Sequence, residues 1–357
     1  MTLEECRNTI DRLDHEIVRL LNERTRAAMT IGRLKQESNA PVYVPAREKQ
    51  VFEKVMALNG GPLSDAHLRA IYREIMSAAI SMELEACVAF LGPETTFTHQ
   101  AALSKFGQSL RYLACETMEQ VFDEVEKGNA QYGVVPIENS IEGGVTPTQD
   151  RLTRTPLKVV AEIYLPIHHC LIVQPGVKQP KRVHSNPQAL AQCRGWLAAH
   201  LPHAEMLPTR STAGASAQVL ADPEAAAIAS RLAAEQHGLE VLQEHIQDHS
   251  GNSTRFLVLG RASGPASGKD KTSIFFGVRH KTGALFQALE PLHRSGINLT
   301  KIESRPSKQR AWEYTFFVDL EGHADEPHVQ AALEQLAEHC VEFTVLGSYP
   351  IAFRSGS

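Results

Sequence analysis

The sequence predicts a multidomain protein: an all-α segment first, an α/β region next, and a small α+β domain at the end. Three observations lead there. The chain has 357 residues, more than one ordinary hydrophobic core serves. Residues 3–37 hold a seven-residue apolar repeat, with Gly32 as their only glycine and no proline. Beyond Cys87 the pattern changes to short apolar runs between helical stretches, and beyond Thr272 it settles into the order βαββαβ.

Composition narrows the function classes. A net charge of -5 gives no global field for nucleic acid or an anionic membrane, so neither is expected as a partner. An anionic substrate must be held by local cations. The six cysteines are scattered, with no Cys-x-x-Cys pair and no zinc spacing, which fits a reducing compartment. The start Met1-Thr2-Leu3-Glu4-Glu5 lacks the basic and apolar regions of a signal peptide, and no apolar run nears the ~20 residues of a membrane span. A cytoplasmic location is the default. No Gly-x-Gly-x-x-Gly and no Gly-Lys-Ser/Thr occurs, so no cofactor is expected, and without a Cys/His ligand spacing no metal is expected.

In the first segment, Leu3, Ile10, Ile17, Arg24 and Ile31 form one seven-spaced series. Cys6, Leu13, Leu20, Ala27 and Leu34 form the other. This is a helix roughly 50 Å long with a partner-facing seam. So small a domain cannot cover it, and pairing with a second copy is expected. Arg24 stands at a seam position where Ile or Leu is expected, and Arg7 and Lys35 flank the seam. Arg24 either snorkels or joins a cationic pocket whose anionic ligand offsets desolvation. Pro41 to Pro45 breaks the helix, a second helix is expected over 46–58, and Ser64 caps a third over 65–85.

The set Arg7, Arg24, Lys35 and Arg47-Glu48 on these helices resembles the all-helical chorismate mutases across residues 1–85. The resemblance implies intertwined helices of two subunits. It implies that Arg7, Arg24, Lys35 and Arg47 contact the carboxylates and ether oxygen of chorismate, and that Glu48 takes the ring hydroxyl. The reaction would be a pericyclic rearrangement to prephenate, which needs a compact conformer and nearby cations but no covalent catalyst. Val44 departs from the enterobacterial pattern, which has an acidic residue there. The third helix should end with a Gln or Glu, which is Glu83, or Leu84 if the alignment slips by one. A Glu83 beside the ether oxygen must be protonated, so mutase activity should fall as pH rises.

The middle region reads as α/β. Strands are expected at 88–91, 133–136, 159–165, 170–173, 182–184, 226–229 and 256–259, and helices at 98–106, 118–126, 187–200 and 212–220. Ser211-Thr212-Ala213-Gly214 opens a helix whose free N–H groups suit a carboxylate. His168-His169-Cys170 reads as structural, because adjacent strand residues point to opposite faces. Gly251–Phe256 reads locally as a polar turn before a strand.

Taken in order, Leu91-Gly92-Pro93-Glu94-x-Thr96-Phe97, Val135-Pro136-Ile137-Glu138-Asn139-Ser140-Ile141-Glu142-Gly143, His184-Ser185-x-Pro187-Gln188, Ser211-Thr212-Ala213 and Asn252-x-Thr254-Arg255-Phe256 resemble the prephenate dehydratases. The resemblance implies a two-lobed, periplasmic-binding-protein-like domain over 86–262, with a second lobe roughly 166–247 and a site in the cleft. There prephenate would lose its ring hydroxyl and carboxylate, giving phenylpyruvate, carbon dioxide and water. Thr254 would stabilise the leaving hydroxyl. Asn139, Ser140, Ser185, Gln192, Ser211, Thr212, Arg255 and Phe256 would bind substrate, with Arg255 either pairing with a carboxylate or bracing the turn. Two positions depart from the pattern: Thr95 where Gly is usual, and Asn186 where His is common.

Residues 263–271 read as a linker. In the βαββαβ domain over 272–357, strands are expected at 273–278, 297–304, 312–320 and 342–349, and helices at 284–293 and 327–339. Gly283-Ala284-Leu285-Phe286 and Gly296-Ile297-Asn298-Leu299 through Glu303-Ser304-Arg305-Pro306 resemble the ferredoxin-like ACT regulatory domain. That implies a phenylalanine site at Gly283, Ala284, Leu285, Asn298, Leu299, Glu303 and Ser304 between paired domains. The whole chain thus resembles the bifunctional chorismate mutase–prephenate dehydratases, or P-proteins. The expected partners are chorismate, prephenate and L-phenylalanine, and the expected assembly is a homodimer or higher even oligomer. Two other readings are a dehydratase with a decayed mutase domain and a non-catalytic amino-acid sensor.

Overall fold

The computed structural model describes residues 1–37, 44–83, 86–306 and 314–352. It divides into two compact units, one formed by Met1–Cys87 with Lys105–Arg111, the other by Val88–Ser104 with Tyr112–Ser357.

The first unit holds three helices among its described residues: α1 (Leu3–Glu37), α2 (Pro45–Ala57) and α3 (Asp65–Glu83). Pro45 opens α2, where its missing N–H costs nothing. Gly32 lies where α3 crosses α1. A Cβ there would come 2.9 Å from Glu83 Cγ, so only glycine allows this approach. The heptad seam is bare: Ile10, Leu13, Ile17, Leu20, Ile31 and Leu34 are each 43% or more exposed.

The second unit begins with β1 (Cys87–Leu91), α4 (Phe97–Phe106), β2 (Arg111–Cys115), α5 (Met118–Lys127), β3 (Tyr132–Asn139), β4 (Gly143–Gly144), α6 (Thr146–Leu152) and β5 (Lys158–Pro166), apart from Cys87, the last two residues of α4 and Arg111, which belong to the first unit. A second lobe follows with β6 (Cys170–Val173), β7 (Arg182–Ser185), α7 (Pro187–Gln192), α8 (Arg194–His200), β8 (Glu205–Pro208), α9 (Thr212–Ala221), β9 (Ala225–Ala229), α10 (Arg231–His237) and β10 (Glu240–Gln243). The chain then returns as β11 (Ser253–Gly260), which inserts between β3 and β5 of the first lobe in the order β2-β1-β3-β11-β5, while the second lobe has the order β10-β6-β9-β7-β8.

The C-terminal domain comprises β12 (Asp270–Val278), α11 (Ala284–Arg294), β13 (Leu299–Pro306), β14 (Tyr314–Glu321), α12 (Pro327–Glu338) and β15 (Glu342–Pro350). Its antiparallel sheet has the order β13-β14-β12-β15, with helices covering one face. A bulge between Leu299 and Lys301 turns the strand over: Leu299 packs on the helical core, whereas Lys301 pairs with Glu138 of the dehydratase segment.

Four expectations need correction. The helix expected over 187–200 breaks at Cys193, because Asp248 accepts bonds from Gly195 N (2.8 Å) and Trp196 N (3.0 Å) and so caps a separate α8. The linker ends at Lys269: Asp270 and Lys271 belong to β12, held by pairing with Pro350 and Tyr349 of β15. The polar turn ends at Asn252, since Ser253 and Thr254 already pair with β5. Strands β2, β8 and β10 and helices α6 and α10 were not expected; at four to seven residues each they are too short to show a period. The expected start of β14 at Trp312 and the alternative residue Leu84 lie outside the described residues.

Candidate active sites

In the first unit, Arg24 and Lys35 of α1 face Glu83 of α3 closely enough to act on its carboxyl. Burial raises the pKa of Glu83, and the two cations pull it back only in part. Glu83 therefore keeps its proton above the ordinary glutamate range. Arg7 is exposed and lies 17 residues before Arg24, about 25 Å along the helix. One chain cannot bring both to a single small ligand. Arg47 is exposed on α2, and Glu48 accepts a bond from Lys105 Nζ at 2.6 Å.

In the second unit a continuous hydrogen-bonded chain runs through the expected site. Asn139 Oδ1 accepts from the backbone N–H groups of Ile141 (3.0 Å) and Glu142 (3.2 Å). Those two donors fix which end of the amide is oxygen. Nδ2 therefore points the other way, and it donates to Thr254 Oγ1 (2.9 Å) and Asn252 Oδ1 (2.8 Å). Asn252 Nδ2 donates to Gln192 Oε1 at 3.0 Å, and Gln192 Nε2 donates to Glu142 Oε1 at 3.2 Å. Gln192 belongs to the second lobe and Glu142 to the first, so the chain spans the cleft.

His169 ends this chain. Its Nε2 lies 2.9 Å from Gln192 Oε1, which can only accept, so the proton sits on Nε2. Burial holds its pKa below the usual histidine value, and the ring stays neutral. Ser140 Oγ accepts from Ser253 N at 2.9 Å and donates to Gly251 O, tying the turn to β3.

Other expected contacts are less direct. Ser185 is fully buried, with its hydroxyl committed to Ile228 O at 2.7 Å. Ser211 caps α9 by accepting from Gly214 N at 2.9 Å, and Thr212 opens that helix. Phe256 is 1% exposed, so its side chain serves the core of the sheet rather than the cleft. Arg255 points away from the Thr254 side, as alternation along a strand requires. Its partners are Glu162, Asp319 and Tyr349. Bracing, the second of the two roles open for Arg255, is what these bonds provide.

Thr95 adopts φ +69°, the left-handed region where glycine is usual. Its amide donates to His99 Nδ1 (3.1 Å), and its carbonyl accepts from Ser230 Oγ (3.0 Å). Both bonds hold the threonine in this left-handed conformation.

In the C-terminal domain, Gly283 has φ +79° with open space beside it and precedes α11, whose first residues Ala284 and Leu285 pack inward. Asn298 and Ser304 are exposed, and Glu303 pairs with Lys301 at 3.1 Å.

Asn252 and Glu142 stand in the motifs that carry the resemblance, two residues before Thr254 and three after Asn139, but were given no role of their own. His169, expected to be structural, is buried and bonded to Gln192.

Three family models match in sequence order: chorismate mutase type II over residues 6–84, prephenate dehydratase over 88–264 and the ACT domain over 272–338. The chain is similar to a bifunctional chorismate mutase/prephenate dehydratase of Aquifex aeolicus (strain VF5), at 49% identity over 98% of both chains. Among solved structures it is similar to a prephenate dehydratase from Arthrobacter aurescens in complex with L-Phe. That match has a TM-score of 0.69 and 37% identity, over 75% of this chain and 90% of that one. A quorum quenching acylase, GqqA, matches with a TM-score of 0.68 and 32% identity over 74% and 98%. With both catalytic models and the ACT model in order, and near-complete coverage of a bifunctional relative, the chain belongs to the family of bifunctional chorismate mutase/prephenate dehydratases.

Proposed function

We propose that the chain converts chorismate to prephenate in its first unit and prephenate to phenylpyruvate, carbon dioxide and water in its second. L-phenylalanine acts at the ACT domain, and the protein works in the cytoplasm. The observation that carries the dehydratase reading is the fixed amide of Asn139. By donating to Thr254 Oγ1, it fills an acceptor position and leaves the threonine proton free to donate. That proton meets the departing ring hydroxyl. Because Thr254 is buried, the bond forms in a place with little competing water. Loss of the ring carboxylate as carbon dioxide supplies the electron pair, and aromatisation drives the step. Gln192, Ser211, Thr212 and the N-terminus of α9 face the substrate's anionic groups.

For the mutase, Arg24, Lys35 and protonated Glu83 form one half of the pocket. Arg7 of a second copy supplies the other. The bare heptad seam supports that pairing, since a second α1 would cover it. The exposed edge of β13 supports pairing of the C-terminal domains, with phenylalanine between them at Gly283, Ala284, Leu285, Asn298, Leu299, Glu303 and Ser304. The fold alone does not fix the reaction, as the acylase shows. Turnover of prephenate with and without phenylalanine tests the reading. The expected result is phenylpyruvate formation that phenylalanine suppresses. Phenylalanine binding without any turnover would favour the sensor instead.

A further inference from the structure

Among the described residues, the most heavily charged interior lies on the far side of β11 from Thr254. Arg255, Glu162, Lys271 and Asp319 have side chains no more than 8% exposed. Arg255 Nε donates to Glu162 (2.9 Å), Nη1 to Asp319, and Nη2 to Tyr349 Oη (2.9 Å). Lys271 Nζ donates to both Glu162 oxygens at 2.8 and 2.9 Å. The proton inventory closes as a ring. Ser273 Oγ donates to Asp319 at 2.5 Å, so at the 2.6 Å contact Tyr349 must donate to Ser273.

Such a cluster is poor value as a source of stability. Two cations and two carboxylates lose their hydration, and well-packed apolar residues would do as well or better. What it provides is position. Glu162 and Arg255 belong to the dehydratase segment, whereas Lys271, Ser273, Asp319 and Tyr349 come from strands of the C-terminal domain. Arg255 neighbours Thr254 in the chain. The turn at Ser250–Ser253 that leads into Thr254 borders a cavity of about 700 Å³, so packed side chains do not hold that turn from behind. A second strut repeats the pattern: Lys301, opposite Asp319 in the sheet, pairs with Glu138 at 2.8 Å, and Glu138 precedes Asn139.

We propose that Asp319 and Tyr349 of the C-terminal domain are positioning residues of the dehydratase site, acting on Thr254 through Arg255. The proposal rests on the assignment of dehydration to Thr254. The C-terminal domain is then a structural part of the active site. Any effector that shifts β13 and β14 moves the groups that hold Arg255 and Glu138.

The test uses the full-length protein and measures both reactions on each preparation. Asp319→Asn should lower the kcat for prephenate roughly 10- to 100-fold, the scale of a small misplacement, and change its KM by less than about threefold. Chorismate turnover should be unchanged. Dehydratase kcat within about twofold of wild type would overturn the proposal. If Asp319→Asn loses both reactions, Tyr349→Phe decides, since it removes only a hydroxyl. A lower kcat at unchanged KM supports positioning, and wild-type kcat overturns it. Thr254→Val run alongside separates the two possible failures. Full turnover there would reject Thr254 itself, whereas collapse there with an active Asp319→Asn would reject only the positioning role.

Discussion

The two catalytic regions solve opposite problems. The mutase residues sit on helices whose apolar seam is exposed, with Arg7 and Arg24 too far apart to share a ligand within one chain. The dehydratase residues lie inside one chain, already joined from Asn139 through Asn252 and Gln192 to His169. One region gathers charge on a helix whose apolar seam a single chain leaves exposed, which is why a second copy is proposed to complete it. The other is preorganised by hydrogen bonds whose directions are fixed by backbone donors. The first suits a pericyclic rearrangement, where cations stabilise a polarised transition state. The second suits expulsion of hydroxide, where one well-aimed proton decides the barrier.

The largest expected effects separate the two regions outright. Thr254→Val should cost roughly 100- to 1,000-fold in dehydratase kcat, the scale of removing one donor aimed at developing charge. Mutase turnover should stay intact. Arg24→Ala should do the reverse, abolishing mutase turnover and sparing the dehydratase. Equal loss of both reactions in either variant would break the division of labour. Asn139→Ala should cost less, roughly 10- to 100-fold in dehydratase kcat, because Thr254 remains but its hydroxyl is no longer oriented. Unchanged kcat would remove the amide from the mechanism.

A pH profile sharpens the contrast further. Burial raises the pKa of Glu83, so its proton persists above the normal glutamate range and is lost as pH rises through the raised value. On the proposal that the protonated form donates to the ether oxygen, mutase kcat/KM should decline as pH rises through that raised value. Glu83→Gln, which always carries a donor, should flatten that decline. A flat profile in the unsubstituted protein would take Glu83 out of the role. The smallest effect concerns stability alone. Thr95→Gly should stabilise the fold by about 1 kcal/mol by removing the left-handed penalty, read as a shift in denaturation midpoint. Destabilisation would mean that the contacts of the threonine side chain outweigh its backbone strain.

The order of elements was legible because periodicity reports burial. The heptad of α1, the apolar runs of β1, β5, β6 and β11, and the βαββαβ order were all readable in the residues. Short strands with exposed faces, such as β8 and β10, gave no such signal. Thr254 and Asn139 were found through motifs, but their mutual orientation depends on a ladder between β3 and β11 that joins residues over a hundred positions apart. Arg255 is the clearest case. Its partners Glu162, Asp319 and Tyr349 lie on three strands in two domains. The local signs were two carboxylates within apolar runs, Glu162 in Val159–Leu165 and Asp319 in Phe316–Leu320.

The most direct test of the account supplies the purified protein with chorismate alone at neutral pH and follows all three compounds in one time course. Two sites working in sequence on one chain predict loss of chorismate, a transient rise of prephenate and accumulation of phenylpyruvate. Untouched chorismate, or prephenate that accumulates without further conversion, would contradict it.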